Sequence, residues 1–168
     1  MFTNKTKIVI ANLAFVISIV SACSHQAPAE CQQLCALSEE QQYQRFKSYP
    51  VEKQFELYAY CGNEKTCMRG SESTHDYYGQ WMAQDDIAVP FLVEKLKTET
   101  DESVQWEILY VLRAMAVNGH LKGRHDVAEV ATHAADSMKG RFIDRLFGEK
   151  WNIEQSKEWA REIEINIR

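Results

Sequence analysis

Apolar residues recur along most of this chain at intervals of three and four, the spacing of one face of an α-helix, while the strict alternation that marks a strand is nearly missing. Ser38-Glu39-Glu40-Gln41 reads as a capping box, opening a helix that carries Tyr43, Phe46 and Tyr49 on one side. Pro50 fits the first turn of the next helix, where its missing N–H costs little, and Val51, Phe55, Tyr58 and Cys61 follow at helical spacing. Residues 62–73 are charged, glycine-bearing and without apolar period, which predicts a loop. His75–Ala83 then carries Tyr77, Tyr78, Trp81 and Met82 on an amphipathic helix, with Gly79 as its one poor helix former.

The second half continues in the same way. Asp85 or Asp86 can cap a helix over Ile87–Leu96 that has Pro90 in its first turn. After a polar break at Thr98–Glu102, Val104–Ala116 is the most apolar helix, ended by Asn118-Gly119. Asp126–Met138 has Val127, Val130, Ala131, Ala134 and Met138 on one face and polar residues opposite. Phe142, Ile143, Leu146 and Phe147 predict a short helix stopped by Gly148. Asn152, with Gln155 three residues on, caps a last helix whose inner face is Ile153, Trp159, Ala160, Ile163 and Ile167. The expected fold is all-α, a compact bundle of about seven short helices with short joins.

The first residues follow a different pattern. Lys5 and Lys7 precede an almost wholly apolar run from Ile8 to Val20, too short to span a bilayer as a helix. A positive start, a short apolar middle and a small-residue exit describe a secretory signal peptide. The exit, Val20-Ser21-Ala22-Cys23, resembles the lipobox of bacterial lipoproteins, in which an aliphatic residue and two small ones precede a cysteine. That resemblance implies cleavage after Ala22, thioether lipidation of Cys23 and acylation of the new amine. Two or three acyl chains make such an attachment durable where one would not. Ser24 in place of an Asp favours the outer membrane, facing the periplasm, over the inner membrane. The expected organisation is a lipoprotein signal peptide over 1–22, a lipidated cysteine and tether over 23–30, and one helical domain over 31–168.

Four further cysteines, Cys31, Cys35, Cys61 and Cys67, all precede Met68. An even number at one end of an exported chain reads as two disulfides. Three connectivities exist. Local pairing gives Cys31–Cys35 and Cys61–Cys67. A helical hairpin folded near Ser48–Pro50 brings Cys35 level with Cys61 and Cys31 level with Cys67, and this pairing is preferred. The spacings miss the usual zinc pattern, and an oxidising compartment disfavours thiolate ligands.

The formal charge of −5 becomes −7 once Lys5 and Lys7 are removed with the signal peptide. An acidic body does not suit phosphate backbones, so nucleic acid is not expected as a partner; a basic protein is electrostatically easier. Ile87-Ala88-Val89-Pro90-Phe91-Leu92-Val93-Glu94-Lys95-Leu96-Lys97, followed by Asp101-Glu102-Ser103-Val104, resembles the second helix of a HEAT repeat and the opening of the next. That resemblance implies one or two HEAT-like helical hairpins and a protein-binding scaffold. Internal similarity adds a hint: Gln54-Phe55-Glu56-Leu57 matches Gln105-Trp106-Glu107-Ile108.

Motifs for catalysis are missing. The chain has no G-x-S-x-G elbow, H-E-x-x-H pair, phosphate loop or dinucleotide fingerprint. His125, Glu129 and His133, spaced four apart on one helix, are the candidate metal ligands, and a solvated polar face is the competing reading. The aromatic residues of the first half suit either a binding surface or a core, and their spacing favours the core. The expected function is therefore a non-catalytic envelope lipoprotein that binds another protein, with toxin-neutralising immunity proteins as its most specific form. No cofactor is expected. The alternative is a metal-binding periplasmic protein using the His125 helix.

Overall fold

The computed structural model of this chain describes residues 29–61, 74–140 and 149–168. The expected signal peptide, Cys23, Cys67, the loop expected over 62–73 and the helix expected around Phe142–Phe147 lie outside the described residues. Among those residues there are eight helices and no strand: α1 (Ala29–Cys35), α2 (Glu39–Lys47), α3 (Val51–Cys61), α4 (Thr74–Met82), α5 (Val89–Thr98), α6 (Glu102–Val117), α7 (His125–Ser137) and α8 (Glu149–Asn166). The all-α bundle of short helices is the fold of the chain. None of these helices is long and apolar enough to cross a membrane.

Local chemistry accounts for most of the helix ends. Ser38 caps α2 by accepting from the Gln41 N–H, and the Gln41 side chain accepts from the Ser38 N–H, which completes the capping box. Asp101 caps α6 by accepting from the Ser103 N–H at 2.9 Å. Gly119, at φ 82°, follows the Asn118 C-cap of α6 in the left-handed region.

Three expectations about ends are corrected. Ile87 lies in the turn before α5 and is 69% exposed, because Asp85 accepts the Ile87 N–H and closes that turn first. Helix α7 runs over His125–Ser137, one residue earlier at each end than the expected Asp126–Met138; Arg124 is its N-cap, and Asp126 in the first turn pairs with the Arg124 guanidinium. Asn152 is not a cap, since α8 already begins at Glu149.

Every substantial contact between helices joins elements one or two places apart along the chain. The helices therefore stack in sequence order. Lys47 at the end of α2 pairs with Asp85 just past α4, and Asn118 just past α6 donates to the Ala83 carbonyl just past α4. Arg113 of α6 pairs with Glu162 of α8, while Trp106 and Tyr110 pack on Trp159. The even-numbered helices thus form one row. In the other row, Phe55 of α3 meets Phe91 of α5, and α5 packs on α7. Helices α6 and α7 run antiparallel, because Glu102 at the start of α6 accepts the Lys139 N–H just past α7.

The core between the rows is continuous, from Leu34 and Phe46 through Leu92, Leu109 and Leu112 to Ile163. The aromatic cluster belongs to it. Tyr58 and Tyr78 are fully buried, Phe46 stacks on Tyr78, and Trp81 packs against both. Burial pushes the Tyr78 phenol up to about 12.

The N-terminal bond is Cys31–Cys61, with Cα atoms 5.3 Å apart. This overturns both pairings considered from the sequence for these two cysteines. The reason is α1, which the sequence pattern did not suggest. The chain turns at Leu37, whose N–H donates to the Leu34 carbonyl, so Cys31 and the α2 helix are not one arm of a hairpin. Instead α1 packs against both α2 and α3, and its buried Cys31 meets the end of α3. Cys35 is disulfide-bonded as well.

Candidate functional site

The stacking leaves a groove on the odd-numbered row, where α3, α5 and the start of α6 meet. Its volume is about 500 Å³. Phe55, Ala59, Phe91 and Val104 form its apolar floor. Phe55 is held almost fully buried by its edge contact with Phe91, with ring centroids 5.8 Å apart. Phe91, Ala59 and Val104 are half-buried and present surface to the groove.

Carboxylates rim that floor. Glu52 and Glu56 stand one turn apart on α3, Glu99 and Asp101 come from the α5–α6 turn, and Glu107 from α6. Glu56 pairs with Lys53 at 3.1 Å, and Glu107 accepts from the Tyr58 hydroxyl. Glu52 makes no ion pair among the described residues. Among the described residues the one basic residue lining the groove is Lys95. Its ammonium pairs with Glu99 at 3.0 Å and lies 5.8 Å from the centre of the Phe55 ring. Cation and aromatic face attract through the ring quadrupole.

The turn carboxylates are charged by construction. Burial pushes Glu99 up, but the Asp101 and Thr100 N–H groups and the Lys95 ammonium outweigh it and hold the carboxyl below its ordinary range. The Ser103 hydroxyl and N–H likewise hold Asp101 low against a smaller effect of burial. The groove therefore offers a fixed negative rim over an aromatic floor. Chemically it suits a cation with an apolar body, such as a basic side chain.

The histidine helix has a different character. His125, Glu129 and His133 are all exposed on α7. His125 and His133 are separated by roughly 12 Å along the axis, so they do not share one ion. Among the described residues no group of three or more His, Cys, Asp or Glu side chains converges on a metal-sized point. Glu129 and His133 instead border a second cleft between α5 and α7, of about 450 Å³, whose lining also includes Glu99. Cys31, Cys35 and Cys61 are placed elsewhere, at the α1 end of the stack.

The groove was not legible beforehand. Glu52 and Glu56 are one turn apart on α3, and Lys95 and Glu99 are four apart, so neither pair alone points to a groove. Only the packing of α3 beside α5 brings them around Phe55 and Phe91. Pro90-Phe91 was the available signal, an aromatic residue on an otherwise aliphatic helix.

Compared with known proteins, the chain matches no family model, no curated protein and no solved structure.

Proposed function

We propose that this chain is a non-catalytic lipoprotein of the bacterial cell envelope, tethered through Cys23, that works by binding a basic protein on its odd-numbered helix row. The observation that carries the reading is the acidic groove over Phe55 and Phe91. It is a surface whose charge is held in place by the turn and whose floor is apolar, the combination that steers and then retains a cationic partner. The HEAT-like resemblance of Ile87–Lys97 and the acidic composition support the same reading, because stacked helix pairs present an extended face. The most specific form of this role is an immunity protein that neutralises a delivered toxin. Anchoring on the outer membrane, facing the periplasm, fits Ser24 after the lipobox.

Affinity capture from envelope extracts tests the reading. One dominant basic partner is expected, with an association rate that falls as salt rises. His125→Ala combined with His133→Ala is expected to leave capture unchanged. A stoichiometric metal that the double substitution abolishes, with no partner captured, replaces this function by metal binding at the α7 face.

A further inference from the structure

The groove already contains a cation of the chain's own, and its position describes what else fits. Lys95 reaches over the Phe55 ring and closes on Glu99. On the α3 side Glu56 is shared with Lys53, while Glu52 makes no ion pair among the described residues, and Phe91 is half-exposed in the same groove. An ammonium beside Glu99 leaves unused the flat apolar surface that a planar cation covers. A guanidinium does cover it: it stacks on an aromatic face and presents a fork of N–H donors to carboxylates at its edge.

We propose that the groove between α3 and α5 seats an arginine side chain from an extended basic segment of the partner. The guanidinium lies over Phe91 and donates to Glu52 and Glu56. Glu99 borders both this groove and the next cleft, between α5 and α7, where Glu129 supplies the following carboxylate. A segment with a second basic residue can therefore continue from one to the other. A second copy of this chain is disfavoured as the occupant, because its matching face is acidic too. This inference rests on the interaction function proposed above and locates its site.

The test uses the full-length chain in detergent micelles, titrated with a short peptide that alternates arginine and leucine. The same peptide with citrulline in place of arginine keeps the shape and removes the charge. Binding of the arginine peptide is expected, with the lysine version weaker and the citrulline version not detected. Glu52→Gln with Glu56→Gln should weaken it by about tenfold, and Phe91→Ala by a similar factor. The glutamine pair guards against misfolding, since it leaves the floor packing intact and changes only exposed or half-exposed positions. Glu158→Gln with Glu164→Gln on α8 alters the net charge equally and should change affinity less than about twofold. Lys95→Ala should tighten binding, while Lys122→Ala, which lines neither this groove nor the α5–α7 cleft, should not.

Equal weakening by the two glutamine pairs means charge attraction without a site, and overturns the proposal. So does self-association of the chain that Phe91→Ala abolishes. A dominant partner captured from extracts whose retention ignores the groove substitutions overturns the arginine site and leaves the interaction function standing. Failure of capture itself removes that function.

Discussion

Gly79 of α4 lies directly against the ring of Tyr110 in α6: a Cβ at that position would stand 2.9 Å from Tyr110 Cε1 and 3.0 Å from Tyr58 Cε2. Read along the chain, this glycine looked like a weak point in an amphipathic helix. In the fold it is a site where side chains of α3 and α6 press directly against α4. Gly79→Ala should therefore destabilise the protein by about 1–3 kcal/mol through overpacking, although alanine is the better helix former by about 1 kcal/mol. Urea denaturation measures the sign, and a stabilised variant would refute the close approach.

Three buried glutamines act alike. Gln42, Gln54 and Gln105 each donate their side-chain amide to a carbonyl in the turn that precedes their helix, those of Leu37, Tyr49 and Glu99 at 3.0, 2.8 and 2.8 Å. Gln54→Leu and Gln105→Leu should each cost about 1–3 kcal/mol, because the carbonyl is left without its donor. The double variant should be near-additive in chemical denaturation, since the two turns share no partner.

The Cys31–Cys61 bond ties α1 to the end of α3 across a sequence separation of 30. By the chain-entropy account, closing that loop is worth about 3–4 kcal/mol. Non-reducing peptide mapping should recover Cys31 with Cys61, and Cys35 with Cys67. Cys31→Ser with Cys61→Ser should lower the unfolding midpoint by a corresponding amount.

Acid should loosen the α5–α6 turn. Glu99 and Asp101 have folded-state pKa values below their ordinary ones, so their contribution is present above the ordinary carboxylate range and is lost as pH falls through the lowered values. Stability of the wild type should thus drop as pH falls from the ordinary carboxylate range through the lowered values of these two groups. Glu99→Gln with Asp101→Asn should be less stable near neutrality and show a flatter acid limb.

The anchor is tested by metabolic labelling. Palmitate should enter the wild-type chain and not Cys23→Ala, which should accumulate uncleaved or move to soluble fractions. Equal labelling of the two removes the lipoprotein reading.

The relation of sequence to fold differs from element to element. Helix α2 was readable to its first residue because a capping box is a local bond pattern, and the Asn118-Gly119 stop of α6 for the same reason. Helix α1 was not, because Ala29–Cys35 buries only Cys31 and Leu34 and leaves too little period to detect. The similarity of Gln54–Leu57 to Gln105–Ile108 did mark something physical, the glutamine bonded to its preceding turn. Yet α3 and α6 lie in different rows, so the match is not a repeat unit. The groove depended wholly on which helices become neighbours, whereas the exposure of His125, Glu129 and His133 follows from their place opposite the apolar face of α7.

Because each helix finds its substantial contacts among those one or two places away, nothing in the described fold waits for a distant segment. A chain that emerges amino end first can settle as it appears, with α4 docking on α2 and α3, and α6 on α4 and α5. Given an oxidant to take the two electrons of its thiols, the Cys31–Cys61 bond can close before α4 and the later helices have been made. Assembly is then vectorial, and short-range contacts of this kind favour speed over long searches for partners. The last helix, α8, has the longest wait and the least: its two neighbours, α6 and α7, are already in place when it arrives.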